Sequence, residues 1–293
     1  MKILITGKEG MLARALGEVL APRHEISAAS HREADITDSK AIAHAIEMAQ
    51  PDAVVNAAAF TDVDACESQP ELAFHVNAEG PRNIALACKR FGIPMMHIST
   101  DYVFDGKKPD PYVEEDEPRP LSVYARSKLE GEREVQKNLE RFSIVRVCSV
   151  FGPYRRNFVS LVVDLGRKGQ PLQIVKDQRF APTYTFDAAL GIERILERGS
   201  HGIYHLTNQG FTTRIDYTRE ILNQAGFASV PVNSITSEET KRPARRPKNS
   251  QLENARLKRE ELPLLPPWQD AIRRYLIQLN ANSQRTGGPS DEA

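Results

Sequence analysis

The sequence predicts an α/β chain built on a doubly wound parallel sheet, with a smaller α/β domain following it. Three observations predict this. The chain opens on a short apolar strand that runs into a glycine turn and an amphipathic helix. Apolar strand patterns then alternate with helical ones as far as Cys148, the signature of βαβ units. The run Met95-Met96-His97-Ile98-Ser99 ends in Thr100-Asp101-Tyr102, polar groups beyond a strand's carboxyl end, where open α/β sheets place their chemistry.

Lys2 to Thr6 is the first strand, and Gly7-Lys8-Glu9-Gly10-Met11-Leu12-Ala13 follows it. Leu12, Leu16, Val19 and Leu20 then share one helix face. Gly7 permits the tight turn, Gly10 lets backbone approach a pyrophosphate, and Ala13 stands where a third glycine would. Met11 and Leu12 open the helix whose N–H groups face the phosphates. The pattern is that of a Rossmann dinucleotide site. Glu25 to Ala29 is the second strand, and its end, Ser30-His31-Arg32, shows no carboxylate. A carboxylate there would bind a ribose 2′-hydroxyl, whereas Arg32 suits a 2′-phosphate. NADPH is therefore expected ahead of NADH. Asp35 and Ile36 are placed to touch the adenine. Ser39 to Gln50 is an amphipathic helix capped by Asp38.

The third strand, Asp52 to Ala59, ends in Ala57-Ala58-Ala59, small residues against which a flat cofactor can lie. Pro70 to Phe91 reads as one long helix. Its Asn77 is read as a brace for loops and placed among the cofactor-binding residues. Tyr124 and Lys128 follow on a further helix, four residues apart and so on one face. A free phenol, with a pKa of about 10, is a poor proton donor near neutrality; an adjacent ammonium is expected to lower it. Thr100 and Tyr124 are expected to hold a carbonyl oxygen between them and to protonate the alkoxide as hydride arrives. The catalytic candidates are therefore Thr100, Tyr124 and Lys128.

At 293 residues, 40% hydrophobic and 27% charged, the chain is of ordinary globular composition. Lysine plus arginine equals aspartate plus glutamate, 39 each, so no global field draws nucleic acid or an anionic membrane. Cys66, Cys88 and Cys148 show neither metal spacing nor a disulfide framework. With no leader and no membrane-length apolar run, a cytoplasmic protein is expected, monomer or homodimer. Residues 1–150 are expected to form the dinucleotide-binding domain. Residues 151–280 are expected to form mainly the substrate-binding domain, with segments returning to the first, and 281–293 a disordered tail. The basic run Lys241 to Lys248 is interrupted by prolines and reads as a loop suited to a diphosphate.

Gly7-x-x-Gly10-x-x-Ala13, Asn56-Ala57-Ala58-Ala59, Ser99-Thr100-Asp101-Tyr102-Val103-Phe104 and Tyr124-x-x-x-Lys128 together resemble an extended short-chain dehydrogenase/reductase. More narrowly, the chain resembles the dTDP-4-dehydrorhamnose reductase family. Further likeness runs through Asn157-Phe158, Asp177-Gln178, Ala181-Pro182-Thr183 and Arg246-Pro247-x-Asn249-Ser250. The resemblance implies reduction of a 4-keto dTDP-sugar by NAD(P)H. It implies that Thr100 binds the keto oxygen, Tyr124 donates the proton, and Lys128 tunes Tyr124 and holds the nicotinamide ribose. It places Asp101, Tyr102 and Asn157 on the substrate side, with Arg246 and Asn249 near the substrate's nucleotide end. Three departures stand out. Ser149 stands where many members have tryptophan, and Arg179-Phe180 where many have an aromatic followed by glycine. Ala15 stands where some carry a glutamate for a magnesium-linked dimer, so no metal is expected. A non-catalytic relative, resembling the β subunit of methionine adenosyltransferase, is the alternative, as is a reductase of another nucleotide sugar.

Overall fold

The computed structural model describes the backbone of residues 1–286 and side chains through residue 281. At its centre lie β1 (Lys2–Thr6), β2 (Glu25–Ala29), β3 (Ala53–Asn56), β4 (Met95–Thr100) and β5 (Phe142–Val147). A sixth strand, Gly202–His205, completes the sheet beside β5. From that edge the order is Gly202–His205, β5, β4, β3, β1, β2, and every pairing is parallel. Parallel strands covered on both faces have no solvent side to alternate toward. That is why Ile3 to Ile5 and Ala53 to Val55 are continuous apolar runs, 3% exposed or less.

One face is covered by α1 (Met11–Leu20), whose Leu12, Leu16 and Leu20 pack on Ile3, Ile5 and Val55. On the other face, α2 (Ser39–Ala49) contributes Ile42 and Ile46. Asp38 starts α2 by accepting from the amides of Lys40 and Ala41. Two short helices follow β3, α3 (Val63–Ser68) and α4 (Pro70–Phe74). After them come α5 (Gly80–Phe91) and α6 (Val123–Asn138), the second started by the Ser122 hydroxyl, which accepts from the Ala125 amide.

The expected single helix from Pro70 to Phe91 is interrupted by a π-turn at His75–Glu79. Pro81 explains the interruption. It has no N–H for the carbonyl four residues back, that of Asn77, and its ring crowds that oxygen. Gly131 of α6 packs against the same carbonyl, and a Cβ at this position would lie 2.1 Å from the Asn77 oxygen. The approach of α6 thus depends on a missing side chain.

A separate core gathers beyond the sheet. Phe104, Phe151, Phe180, Tyr217, Trp268 and Tyr275 pack there with α7 (Phe158–Arg167). The long helix α8 (Thr185–Arg198) returns to the sheet, placing Ala188, Ala189 and Ile192 in the α1 cluster. Residues 281–286, expected to belong to the tail, fall in the last helix, Trp268–Thr286. Residues 287–293 lie outside the described residues. Among the described residues no helix is long and apolar enough to cross a membrane.

Gly131→Ala should destabilise the chain by about 1–3 kcal/mol through overpacking, read as a lower urea midpoint at unchanged slope. A midpoint equal to wild type would mean that α6 does not depend on this contact.

Candidate active site

The strand order switches sides at β1, with β2 on one flank and β3 on the other, and such switch points open a crevice at the carboxyl ends. Gly7 adopts φ +77° there, and a Cβ on it would lie 2.7 Å from the Ala58 nitrogen. The first turn and the Ala57–Ala59 stretch therefore meet backbone to backbone. Gly10 precedes α1 without any side-chain cap, leaving the positive end of the helix open to an anion. Gly7, Gly10, Asp35, Ile36 and Ala57 to Ala59 line one cavity. A cradle that a single Cβ would obstruct fits a dinucleotide.

Asparagines hold this cavity's loops. Asn83 donates to the carbonyls of Ile36 and Thr37, each at 3.0 Å. Asn77, fully buried, bonds both the amide and the carbonyl of Phe60 and donates to the Ser127 hydroxyl. Its side chain serves as a brace and is absent from the cavity lining. Arg32 is exposed on the turn after β2 and also lies outside the lining, where His31 and Ala34 appear instead. The expected lack of a carboxylate at this turn needs correction. Glu33 folds back to accept from the Ser30 amide at 2.7 Å and pairs with Lys8 at 3.4 Å.

Thr100, Asp101, Tyr102, Tyr124 and Lys128 line a second cavity of about 550 Å³, together with Gly10, Met11, Leu12, Ala57 and Ala59. The end of β4, the start of α6 and the glycine turn thus converge. The Tyr102 and Tyr124 rings meet edge to face at 6.3 Å. The Thr100 hydroxyl donates to Asp101 at 3.1 Å and accepts from the Tyr102 amide at 3.2 Å. Asp101 also accepts from the Cys148 thiol at 2.9 Å. Burial pushes the Asp101 carboxyl up despite these donors.

Burial also raises the Tyr124 phenol well above its ordinary value, with the Thr100 hydroxyl acting against the rise. The expectation that Lys128 lowers this phenol is not met in the structure. The Lys128 ammonium donates instead to the Ile98 carbonyl at 2.7 Å and lies 3.4 Å from His97 Nε2. Burial brings Lys128 down to about 8, with Glu132 opposing.

A third cavity adjoins the second, and Tyr102, Ser149 and Arg214 line both. Arg242 and Arg246 line the third cavity and not the second. Arg246 forms a two-point pair with Asp64, at 3.1 and 2.8 Å. Arg214, at the start of the helix Arg214–Gln224, is sandwiched by Phe180 at 4.1 Å and Phe158 at 5.2 Å. It donates to the Ser149 hydroxyl at 3.2 Å, and among the described residues no carboxylate pairs with it. Sequence reading missed Arg214, as it missed Arg155 and Arg156, which line the second cavity. The only signal for these two was a doubled arginine after Gly152-Pro153.

Two expected substrate residues are committed elsewhere. Asn157 caps α7 and donates to the Gly152 carbonyl and the Tyr275 hydroxyl, so it shapes the loop carrying Arg155 and Arg156. Asn249, 1% exposed, donates to the carbonyls of Lys108 and Asp110 and ties down the loop after β4. Arg179 faces outward and donates to the Pro109 carbonyl. Ala15 is fully buried. One possible ligand cluster, His24, Glu193 and Glu197, lies in that region, but Glu193 is already paired with Arg23 and His24.

These features can be set beside known proteins. The profile described as RmlD substrate binding domain matches residues 1–281. A dTDP-4-dehydrorhamnose reductase of Sinorhizobium fredii is 37% identical over 289 residues, covering 95% of this chain and 98% of the relative. Among solved structures, a dTDP-4-dehydrorhamnose reductase of Clostridium acetobutylicum superposes with a TM-score of 0.92 at 37% identity, over 96% of this chain and all of the other. One from Bacillus anthracis, in complex with NADP, gives 0.92 at 31% identity, over 94% and 99%. With a glycine cradle, a Thr100–Tyr124–Lys128 cavity and a likeness that runs nearly end to end, the chain belongs to the dTDP-4-dehydrorhamnose reductase family.

Proposed function

We propose that this chain reduces the 4-keto group of dTDP-4-dehydro-L-rhamnose to give dTDP-L-rhamnose, using NADPH. The observation that carries the reading is the shared cavity of Thr100, Tyr124 and Lys128 with the α1 N-terminus and the Ala57–Ala59 stretch. The Gly7 turn and the open end of α1 would hold the pyrophosphate, with Asp35 and Ile36 at the adenosine end. Met11, Leu12, Ala57, Ala58 and Ala59 would flank the rest. The bound cofactor supplies hydride; the proton comes from this chain. Tyr124 delivers it to the forming alkoxide, while Thr100 orients the keto oxygen. A high phenol pKa suits a donor, because the proton stays on until an alkoxide, a stronger base, develops. Arg32, three residues before Asp35 on an exposed turn, is assigned to the 2′-phosphate on charge, with Glu33 held off by Lys8.

A nucleotide sugar is linear: sugar, diphosphate, nucleoside. Two adjoining cavities suit such a molecule: the proton donor Tyr124 lines only the one, and Arg242 and Arg246 only the other. Among the described residues, Arg214 is the one cation lining both. We assign it to the diphosphate, and Asp101 and Tyr102 to the sugar. Asn157 and Asn249 act on the substrate through the loops they hold.

Tyr124→Phe should lower kcat by about 10²–10⁴-fold and leave the NADPH Kd unchanged in fluorescence titration. Reduction at the wild-type rate would remove Tyr124 from the chemistry. Arg214→Gln should weaken dTDP binding by about 10–100-fold, the range for a hydrogen bond to a charged group, with NADPH binding intact in calorimetry. An unchanged dTDP affinity would move the diphosphate elsewhere. Because the Lys128 pKa lies below that of free lysine, the ammonium is lost as pH rises through about 8. kcat/KM should therefore fall about tenfold per pH unit above that point. A flat profile to pH 10 would mean that the charge on Lys128 is not required.

A further inference from the structure

Beneath Lys128 lies a buried chain of hydrogen bonds whose direction is fixed by one backbone amide. The Ala58 N–H points at Asn56 Oδ1, 3.1 Å away. A backbone N–H can only donate, so this atom of Asn56 must be the oxygen. The Thr6 hydroxyl donates to the same oxygen at 2.7 Å. The Asn56 nitrogen is thereby turned toward His97 Nδ1 at 3.0 Å. An amide nitrogen can only donate, so Nδ1 accepts. The His97 ring is fully buried, and burial, with Lys128 adding to it, holds it neutral. A neutral imidazole carries one proton, and with Nδ1 accepting, that proton sits on Nε2. Nε2–H then faces Lys128 Nζ at 3.4 Å.

Two donors face each other across that gap when Lys128 is an ammonium. When it is an amine, its lone pair accepts from Nε2–H and the conflict disappears. We propose that His97 is a positioning residue for the reductase site, held as the Nε2–H tautomer by Asn56, and that its N–H favours the neutral amine of Lys128. Other titratable groups face Lys128 as well. Tyr124 and Glu132 lie one turn to either side on α6, and Arg146 of β5 is paired with Glu132. Asp101 lies across the cavity. Glu132 alone among these is a nearby anion favouring the ammonium, and Arg146 offsets it. Lysine is thus kept ready to release its proton near neutrality, toward a Tyr124 that has just given up its own. The balance is simple: the N–H bond of the ammonium breaks, the O–H bond of the phenol re-forms, and the amine left behind accepts from His97.

This inference rests on the reading of Lys128 as part of the active site, but its test does not require turnover. Long-range ¹H–¹⁵N spectra of the whole protein report the tautomer of each histidine. His97 is expected as Nε2–H; an Nδ1–H signal overturns the proposal whether or not the protein reduces any sugar. A ¹³Cε titration of lysine methylene groups then reads Lys128 in wild type and in His97→Asn. The asparagine oxygen can replace Nδ1 as acceptor for Asn56 while removing the N–H opposite Lys128. Its Lys128 titration should move up by one pH unit or more, and the basic limb of kcat/KM with it. His97→Gln, whose longer side chain can turn an oxygen toward Lys128, should move it the same way. A folded variant of either kind titrating with wild type overturns the proposal. Should neither variant fold, the wild-type tautomer still decides.

Discussion

Everything at the site depends on how deeply α6 sits against the sheet, and a buried ion pair sets that depth. Glu132 is fully buried and Arg146 is 1% exposed. They meet through two parallel bonds, at 2.9 and 2.7 Å. The Ser99 hydroxyl adds a third donor to the same carboxylate. Such a pair adds little net stability compared with apolar residues of the same volume, yet removing one partner costs about 3–5 kcal/mol. What it contributes is geometry. It locks one turn of α6 to β4 and β5 at once, and Tyr124 and Lys128 occupy the two preceding turns of the same face.

The three positions form a ladder at i, i+4 and i+8, each rung meeting a different environment. Tyr124 reaches the cavity, Lys128 rests on Ile98 and His97, and Glu132 is anchored by Ser99 and Arg146. On the opposite side of the cavity the backbone does the corresponding work. Gly7 and Ala58 touch with no side chain between them, so the floor under the dinucleotide is main chain on both sides. Loop positions are in turn fixed by asparagine amides, Asn77 at Phe60 and Asn83 at Ile36 and Thr37. Rigid supports of this kind are what a hydride transfer needs, because reacting atoms must be held within a fraction of an ångström.

Local pattern carried much of this architecture. The glycine turn, the apolar strands and the Tyr124–Lys128 spacing are short-range features and are found where expected, except that the third strand is Ala53–Asn56 rather than Asp52 to Ala59, because the Ala57–Ala59 backbone leaves the sheet to meet the Gly7 turn. The break at His75–Glu79 is legible too, since Pro81 denies Asn77 a partner four residues away, but apolar spacing that continues through it masks the signal. Other features could not be read locally. His97 sits inside an apolar strand, and only the approach of Asn56 from β3 and Lys128 from α6 gives its ring two partners. Arg214 is more than a hundred residues from Thr100, and its place between the cavities comes from the packing of Phe158 and Phe180. Asn157 and Asn249 look like ligand groups in sequence because amides serve both purposes; folded, their hydrogen bonds are already taken up by backbone and, for Asn157, also by the Tyr275 hydroxyl.

The sixth strand of the central sheet comes from far along the chain. Gly202–His205 closes the edge left by Phe142–Val147, while His205 is held by the carbonyls of Tyr112 and Glu253. An open strand edge is a template for unwanted pairing. During synthesis the ribosome must therefore add some sixty residues after β5 before that edge can be covered. Through that interval the emerging polypeptide carries its nucleotide half nearly formed, with the Phe142–Val147 flank exposed to any other nascent strand in addition to the β2 edge, which makes the span between Val147 and Gly202 the stretch of translation where a chaperone would be of most use.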